Sequence, residues 1–377
     1  MSRIAGGGAA GILAAVMGSL IAAGGASASP YTVARLFGDE YLQLNDRGQV
    51  FGEERRGATT RHFVFDSLGP GGYRVMDRPT DLGSIPGGRD DLFTRHGVVY
   101  EADTGRSAYM DIPGPYAAGA RGFDGAGRMY GTAWIDSHGH TTTPPHDRPF
   151  MVEDGKVREL DLPSGMVHGQ LIGVNAAGDV LIQAGGGWYD STPEAYLLRS
   201  GIWTHLGTFQ GVGFNDKGDV LGFKPPRDDS TSTHPILIPD DGSGPIMLPG
   251  IAGALSTFPA AFNNHGDIVG TAAFGGASQK SVIYRDGVPT ELSSLLGQLG
   301  SHEELGALSL RSINNLGQIL AWGRYEGGWS TFLFSPAELN AAEGQFAVPP
   351  AVPEPSALLV FAGLALGAGL VRRGRRG

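Results

Sequence analysis

The apolar positions of this chain fall in short runs of three to five residues broken by polar turn signals, a strand pattern rather than a helical one. One arrangement recurs: an apolar residue, Asn or Asp, two variable residues, Gly, a variable residue, two apolar residues and often a final Gly. Clear copies begin at Leu44, Phe123, Val174, Phe214, Phe262 and Ile313, and a degenerate copy runs from Phe93 to Tyr100. In five clear copies the turn residues are Asn45 with Gly48, Asn175 with Gly178, Asn215 with Gly218, Asn263 with Gly266, and Asn314 with Gly317; Asp124 replaces Asn in the sixth. Asn bonds its own backbone two residues on, and Gly supplies a positive φ, so each copy predicts a β-hairpin. A third apolar run follows each copy, such as Ile236-Leu237-Ile238 or Val282-Ile283-Tyr284. After most of these come a turn and a fourth run, as in Asp286-Gly287-Val288-Pro289-Thr290-Glu291-Leu292.

The unit is therefore four short strands. It repeats every 40 to 51 residues apart from one compressed step between about 97 and 127. That period and strand count predict an all-β chain folded as a β-propeller of seven blades, with six as the alternative because the second copy is weak. The last copy ends at Phe334 without a fourth strand, and Tyr31 to Phe37 precedes the first copy without a unit of its own. Pairing the two would close the ring and remove its open sheet edges. The expected organisation is a signal peptide over 1–28, the propeller over 29–336, a linker over 337–351 and a sorting tail over 352–377.

The ends differ from the body. Arg3, an apolar run to Ala23 and Ala26-Ser27-Ala28 before Pro30 have the form of a secretory signal helix with a cleavage site. Val352-Pro353-Glu354-Pro355-Ser356 precedes an apolar run from Ala357 to Val371, and Arg372, Arg373, Arg375 and Arg376 follow. As a helix the run is about 22 Å long, short of the roughly 30 Å hydrocarbon core, so it predicts a short transmembrane helix with its arginines on the cytoplasmic side. These features together resemble the PEP-CTERM sorting signal of Gram-negative bacteria. The resemblance implies an exosortase and the secretion machinery as partners, transient residence in the inner membrane, processing, and a final place in the outer envelope, cell surface or extracellular matrix. It also implies an exopolysaccharide or biofilm setting. The body repeats resemble the HAF-type extracellular repeats of bacteria, departing from them at Asp124, at Ile182 and Ala321 where the final Gly stands, and in lacking the His-Ala-Phe triplet.

Composition narrows the chemistry. The chain has no Cys, which removes disulfides, Cys-zinc sites and thiol catalysis. Its formal net charge is −10, and removing both terminal segments takes away five arginines and one glutamate, leaving 23 basic and 37 acidic residues. Such a surface repels nucleic acid and favours neutral sugars, cations or proteins as partners. Asp136, His138, His140 and His146 have metal-ligating side chains, but Gly139, three Thr and two Pro among them predict a solvated loop, and no metal or other cofactor is expected. The turn residues offer too few converging oxygens for calcium. Glu53 and Glu54, followed by Arg55 and Arg56, read as a solvated strand end. Trp134, Trp188, Trp203, Trp322 and Trp329 could stack on sugars, although filling the space between sheets is the more ordinary role. No nucleophile turn, phosphate loop or zinc-protease motif occurs, so no catalytic residue is named. The expected function is binding or scaffolding in an exopolysaccharide or matrix-protein context, the alternative an exported propeller lyase or hydrolase.

Overall fold

A computed structural model describes residues 31–342, apart from 37–42, 57–58, 69–71, 77–91, 96–97, 105, 110–117, 136–145, 154–155, 186–193, 225–231, 296–307 and 326–327. The expected signal helix, the sorting motif Val352 to Ser356, the apolar tail and Arg372 to Arg376 lie outside these residues. Among the described residues no helix is long and apolar enough to cross a membrane.

The strands form antiparallel sheets in chain order. Sheet I holds β2 (Gln43–Leu44), β3 (Gln49–Arg56), β4 (Thr59–Asp66) and β5 (Gly72–Val75). Sheet II holds β6 (Leu92–Arg95), β7 (Val98–Glu101) and β8 (Ser107–Tyr109). Sheet III is β9 (Ala118–Phe123), β10 (Met129–Ile135), β11 (His146–Glu153) and β12 (Lys156–Glu159). Sheet IV is β13 (His168–Val174), β14 (Val180–Gly185), β15 (Glu194–Arg199) and β16 (Ile202–Thr208). Sheet V is β17 (Gln210–Phe214), β18 (Val220–Phe223), β19 (Pro235–Ile238) and β20 (Ile246–Met247). Sheet VI is β21 (Ser256–Phe262), β22 (Ile268–Ala273), β23 (Gln279–Arg285) and β24 (Val288–Glu291). Sheet VII joins β25 (Ser309–Ile313), β26 (Ile319–Tyr325) and β27 (Gly328–Pro336) to β1 (Tyr31–Leu36).

The chain is thus an all-β propeller with six complete four-stranded blades. The expected seven four-stranded blades are corrected to six, the alternative count, and the second copy contributes a three-stranded sheet among the described residues. That copy has Thr94 in place of the turn Asn. Two short helices, α1 (Leu292–Leu295) and α2 (Ala337–Ala342), interrupt the strand pattern, α2 inside the expected linker.

Each sheet buries both faces because its strands alternate between two neighbours. In β26, Ile319 and Ala321 pack toward sheet VI with Val269 and Ile283, while Leu320 packs toward sheet I with Val50. Equivalent apolar clusters join I to II through Phe51 and Tyr100, and II to III through Leu92 and Phe150. Others join III to IV through Met151 and Leu171, IV to V through Leu181 and Phe209, and V to VI through Leu221 and Tyr284. The first strands of consecutive sheets neighbour one another, which places them innermost, around the axis.

The N-terminal strand closes the ring. β1 pairs antiparallel with β27, from Tyr31 opposite Pro336 to Leu36 opposite Thr331. Tyr31 and Val33 join the cluster toward sheet VI, and Ala34 and Leu36 the cluster toward sheet I. Arg285 of sheet VI stacks on the Tyr31 ring at 5.5 Å and donates to its hydroxyl.

Deleting residues 31–36 removes two fully buried side chains, worth roughly 1.5–3 kcal/mol each, and exposes the edge of β27. The melting temperature should fall by about 10 °C, at roughly 2 °C per kcal/mol for a domain of this size. Calorimetry of the truncated chain checks this; an unchanged melting temperature would show that closure does not hold the ring.

Candidate functional site

The propeller has two dissimilar ends. One carries the first-to-second strand turns with the repeated Asn and Gly; the other carries the second-to-third strand loops and the connections between sheets.

At the turn end the local chemistry follows the sequence reading. Gly48, Gly178, Gly218, Gly266 and Gly317 have φ of 76°, 84°, 92°, 90° and 74°. Asn215 Oδ1 accepts from the backbone N–H of Lys217 at 3.1 Å and of Asp219 at 3.0 Å, and Asn45, Asn263 and Asn314 do the same in their turns. In the fifth, Asn175 Oδ1 accepts from Asp179 N. The amide nitrogen donates to the side chain four residues on, which is Gln49, Asp179, Asp219, Asp267 or Gln318. Asp124 has no donor to offer, and position 128 is correspondingly Arg, which donates to it at 2.6 Å. Burial, reinforced by Asp124, pushes the nearby Tyr130 hydroxyl up to about 12.

Sequence reasoning missed a second layer of bonds, from turn to turn around the ring. Asn215, Asn263 and Asn314 Nδ2 donate to the backbone carbonyls of Asn263, Asn314 and Asn45 at 3.4, 3.1 and 2.9 Å. The residue after the turn Asn does the converse. Asp216, Asn264, Asn315 and Asp46 each accept, at 2.7 or 2.8 Å, the backbone N–H of the preceding turn's Ala176, Asp216, Asn264 or Asn315. Between sheets III and IV, Gly125 N donates to Ala176 O at 2.9 Å. From I to II, Arg47 and Gln49 both donate to Asp103. The visible signal was the second polar residue in Asn-Asp and Asn-Asn pairs, which a solitary hairpin does not require.

The other candidates are dispersed. Asp136, His138 and His140 lie outside the described residues; His146 opens β11 with its backbone opposite Ile135. Among the described residues no three His, Asp or Glu gather as metal ligands. The solvated reading of Glu53 is corrected: it is 2% exposed and lies 3.7 Å from His62 Nε2, the residue opposite it on β4. Tyr100 of sheet II places its hydroxyl 3.1 Å from His62 Nδ1, and the His62 ring stacks on Phe51. Tyr100, which packs on Phe51 and His62 from the next sheet, is absent from any local pattern.

At the loop end of sheet VII two tryptophans stand out. Trp322 and Trp329 stack at 3.9 Å between centroids and 7° between planes. Trp329 is 56% exposed, so space-filling between sheets does not describe it. Arg324, opposite Trp329 in the hairpin, lies 5.5 Å over its ring, and Arg311 of β25 lies 5.7 Å over Trp322. Trp203, by contrast, donates to Asp161 O and packs against the cluster between sheets III and IV. Arg311 sits at a β-bulge that recurs in five first strands, three residues before the turn residue: Arg121, Ile172, Val212, Ala260 and Arg311. A bulge re-aims its extra residue. In sheet VI it also brings the backbones so close that a Cβ on Gly270 would lie 2.3 Å from Phe258 O.

No protein-family model matches the sequence, and no curated protein matches it. Solved structures do. The chain is similar to an oligogalacturonate lyase from Vibrio parahaemolyticus, with TM-score 0.56 at 8% identity over 84% of this chain and 96% of that one. It is also similar to the acylaminoacyl peptidase of Pyrococcus horikoshii, with TM-score 0.50 at 10% identity over 81% of this chain and about half (51%) of that one. A third match is the β-propeller domain of the Trilobed protease from Pyrococcus furiosus, with TM-score 0.48 at 10% identity over 70% and 85% of the two chains. At such identities the first two likenesses show the propeller fold alone.

Gly218 and Gly266 separate two costs of losing a turn glycine. A Cβ at Gly266 meets nothing within 4 Å, so Gly266→Val carries only the positive-φ penalty, about 1–2 kcal/mol. At Gly218 a Cβ would lie 2.6 Å from Arg199 Nη2 and 2.8 Å from Asp240, so Gly218→Val should cost more. Urea unfolding of the two variants measures the order, and the reverse order would contradict this account of the turns.

Proposed function

We propose that this chain is an exported surface or extracellular-matrix protein that binds or scaffolds matrix components without catalysis, and that an exosortase processes its tail. The location rests on Val352-Pro353-Glu354-Pro355-Ser356 followed by the apolar run and arginines. The binding role rests on one structural observation: an exposed aromatic stack, Trp322 on Trp329, at the end of the ring opposite the bonded turns. The exposed Trp329 offers an apolar ring edge and an N–H donor to sugars, and a rigid ring presents them without an ordering cost on binding. We also count sheet II as a reduced seventh blade, a reading supported by its packing on sheet I through Val98 and Tyr100 and on sheet III through Leu92 and Val99.

A propeller enzyme is the second reading, and Glu53 favours it. A buried carboxylate beside an imidazole and a phenol has the components of general acid–base chemistry. Incubating the purified chain with acidic and neutral polysaccharides discriminates the readings. Unchanged polymer length is expected for a binder; depolymerisation that Glu53→Gln abolishes would establish the enzyme instead.

Mass spectrometry of the mature protein tests the processing. The product should lack residues 372–377, and an intact Arg-rich end in the final product would leave a simple membrane anchor.

A further inference from the structure

We propose that Arg311, Trp322, Trp329 and Arg324 form a subsite for a carboxylate-bearing polysaccharide, one built on uronic acids. This rests on the binding role proposed above and names its ligand class.

The four side chains form one stack. A spacing of 3.9 Å between the indoles leaves no room for a guanidinium between them, so Arg311 and Arg324 stand at its opposite ends. A guanidinium held over an aromatic face keeps its in-plane N–H donors open, the geometry that grips a carboxylate. Four other arginines are held by acids: Arg47 by Asp103, Arg128 by Asp124, Arg148 by Glu159, and Arg199 by Asp179 and Asp240. Among the described residues Arg311 and Arg324 have no hydrogen bond or ion pair, in a chain that carries 38 acidic residues against 28 basic ones. Both are exposed.

The surroundings have the same sign. The seven first strands contain Arg95, Arg121 and Arg311 and not one Asp or Glu. Arg121 and Arg311 are both exposed on innermost strands, and a local excess of positive charge concentrates anions despite the net charge.

Two guanidiniums at the ends of a stack are too far apart to hold one small anion between them. They suit successive acidic groups along a chain, with the exposed edge of Trp329 against the intervening sugar. A nucleic acid has a far denser line of charge and would meet the acidic exterior on either side. A uronate polymer spaces its charges by whole sugars.

The test uses the purified full chain with alginate as the acidic polymer and dextran as the neutral one, in affinity electrophoresis and by tryptophan fluorescence. Alginate should retard the wild type and perturb its emission, with retardation weakening as salt rises. The Arg311→Gln/Arg324→Gln pair should weaken retardation at least tenfold, Trp329→Ala should do likewise, and Arg324→Lys should weaken it less than Arg324→Gln. Arg158→Gln, on the outer strand β12 of sheet III and outside the stack, should leave it unchanged. Circular dichroism of each variant separates lost binding from lost fold. Equal retardation of the double variant and the wild type would overturn the subsite. Retardation by dextran without alginate binding would overturn the subsite while leaving a glycan-binding role. A chain that binds no glycan in either format would remove both.

Discussion

The side-chain amides of the turn asparagines hold this molecule in register. A propeller blade gains most of its stability from apolar burial against its neighbours, which is strong but non-directional. Burial alone would let one sheet slide along the next. The amides of Asn215, Asn263 and Asn314 prevent this, because each shapes its own turn through Oδ1 and reaches the following turn through Nδ2. Asn175, Asn215, Asn263 and Asn314 are almost wholly buried, so a missing partner would cost the desolvation of an amide, on the order of 1–3 kcal/mol at each site. Repetition of this small motif thus fixes the hairpin and the spacing between hairpins at once.

Closure extends the same constraint to the chain ends. β1 supplies the outer strand of sheet VII, and Asn314 and Asn315 bond Asn45 and Asp46 of sheet I across 269 residues of sequence. The turn end is consequently occupied with structure. Its carboxylates, which in isolation suggest a cation, accept backbone and side-chain N–H groups instead. The opposite end holds the exposed indoles and the arginines without acidic partners. The proposed binding role uses this division of labour, with polar repeats building a rigid support and the few irregular residues left to meet a ligand.

The sequence disclosed what depends on neighbours in the chain. Gly48, Gly178, Gly218, Gly266 and Gly317 were legible because a positive φ three residues after an Asn is a local requirement. The strand period and the closing role of Tyr31 to Leu36 followed from the count of apolar runs. What depends on distant residues was hidden. Asp46 and Asn264 looked like spare turn residues, since their partners lie in the neighbouring blades. Glu53 looked solvated because the Tyr100 that helps bury its surroundings belongs to another sheet. Trp322 and Trp329, seven residues apart, gave no sign of stacking until the hairpin between them set Arg324 against Trp329. The second copy, weak in the sequence because Thr94 stands for the turn Asn, gives three strands among the described residues, a local weakness that was visible.

Native-state hydrogen exchange of the backbone amides of Ala176, Asp216, Asn264 and Asn315 tests the central claim most directly, because each donates to the next turn in the ring. If the turns weld the blades into one cooperative body, all four amides should exchange only through global unfolding, with the same free energy and the same denaturant dependence. Exchange of any one of them through a separate opening of its own blade, at lower free energy than the rest, would contradict the account.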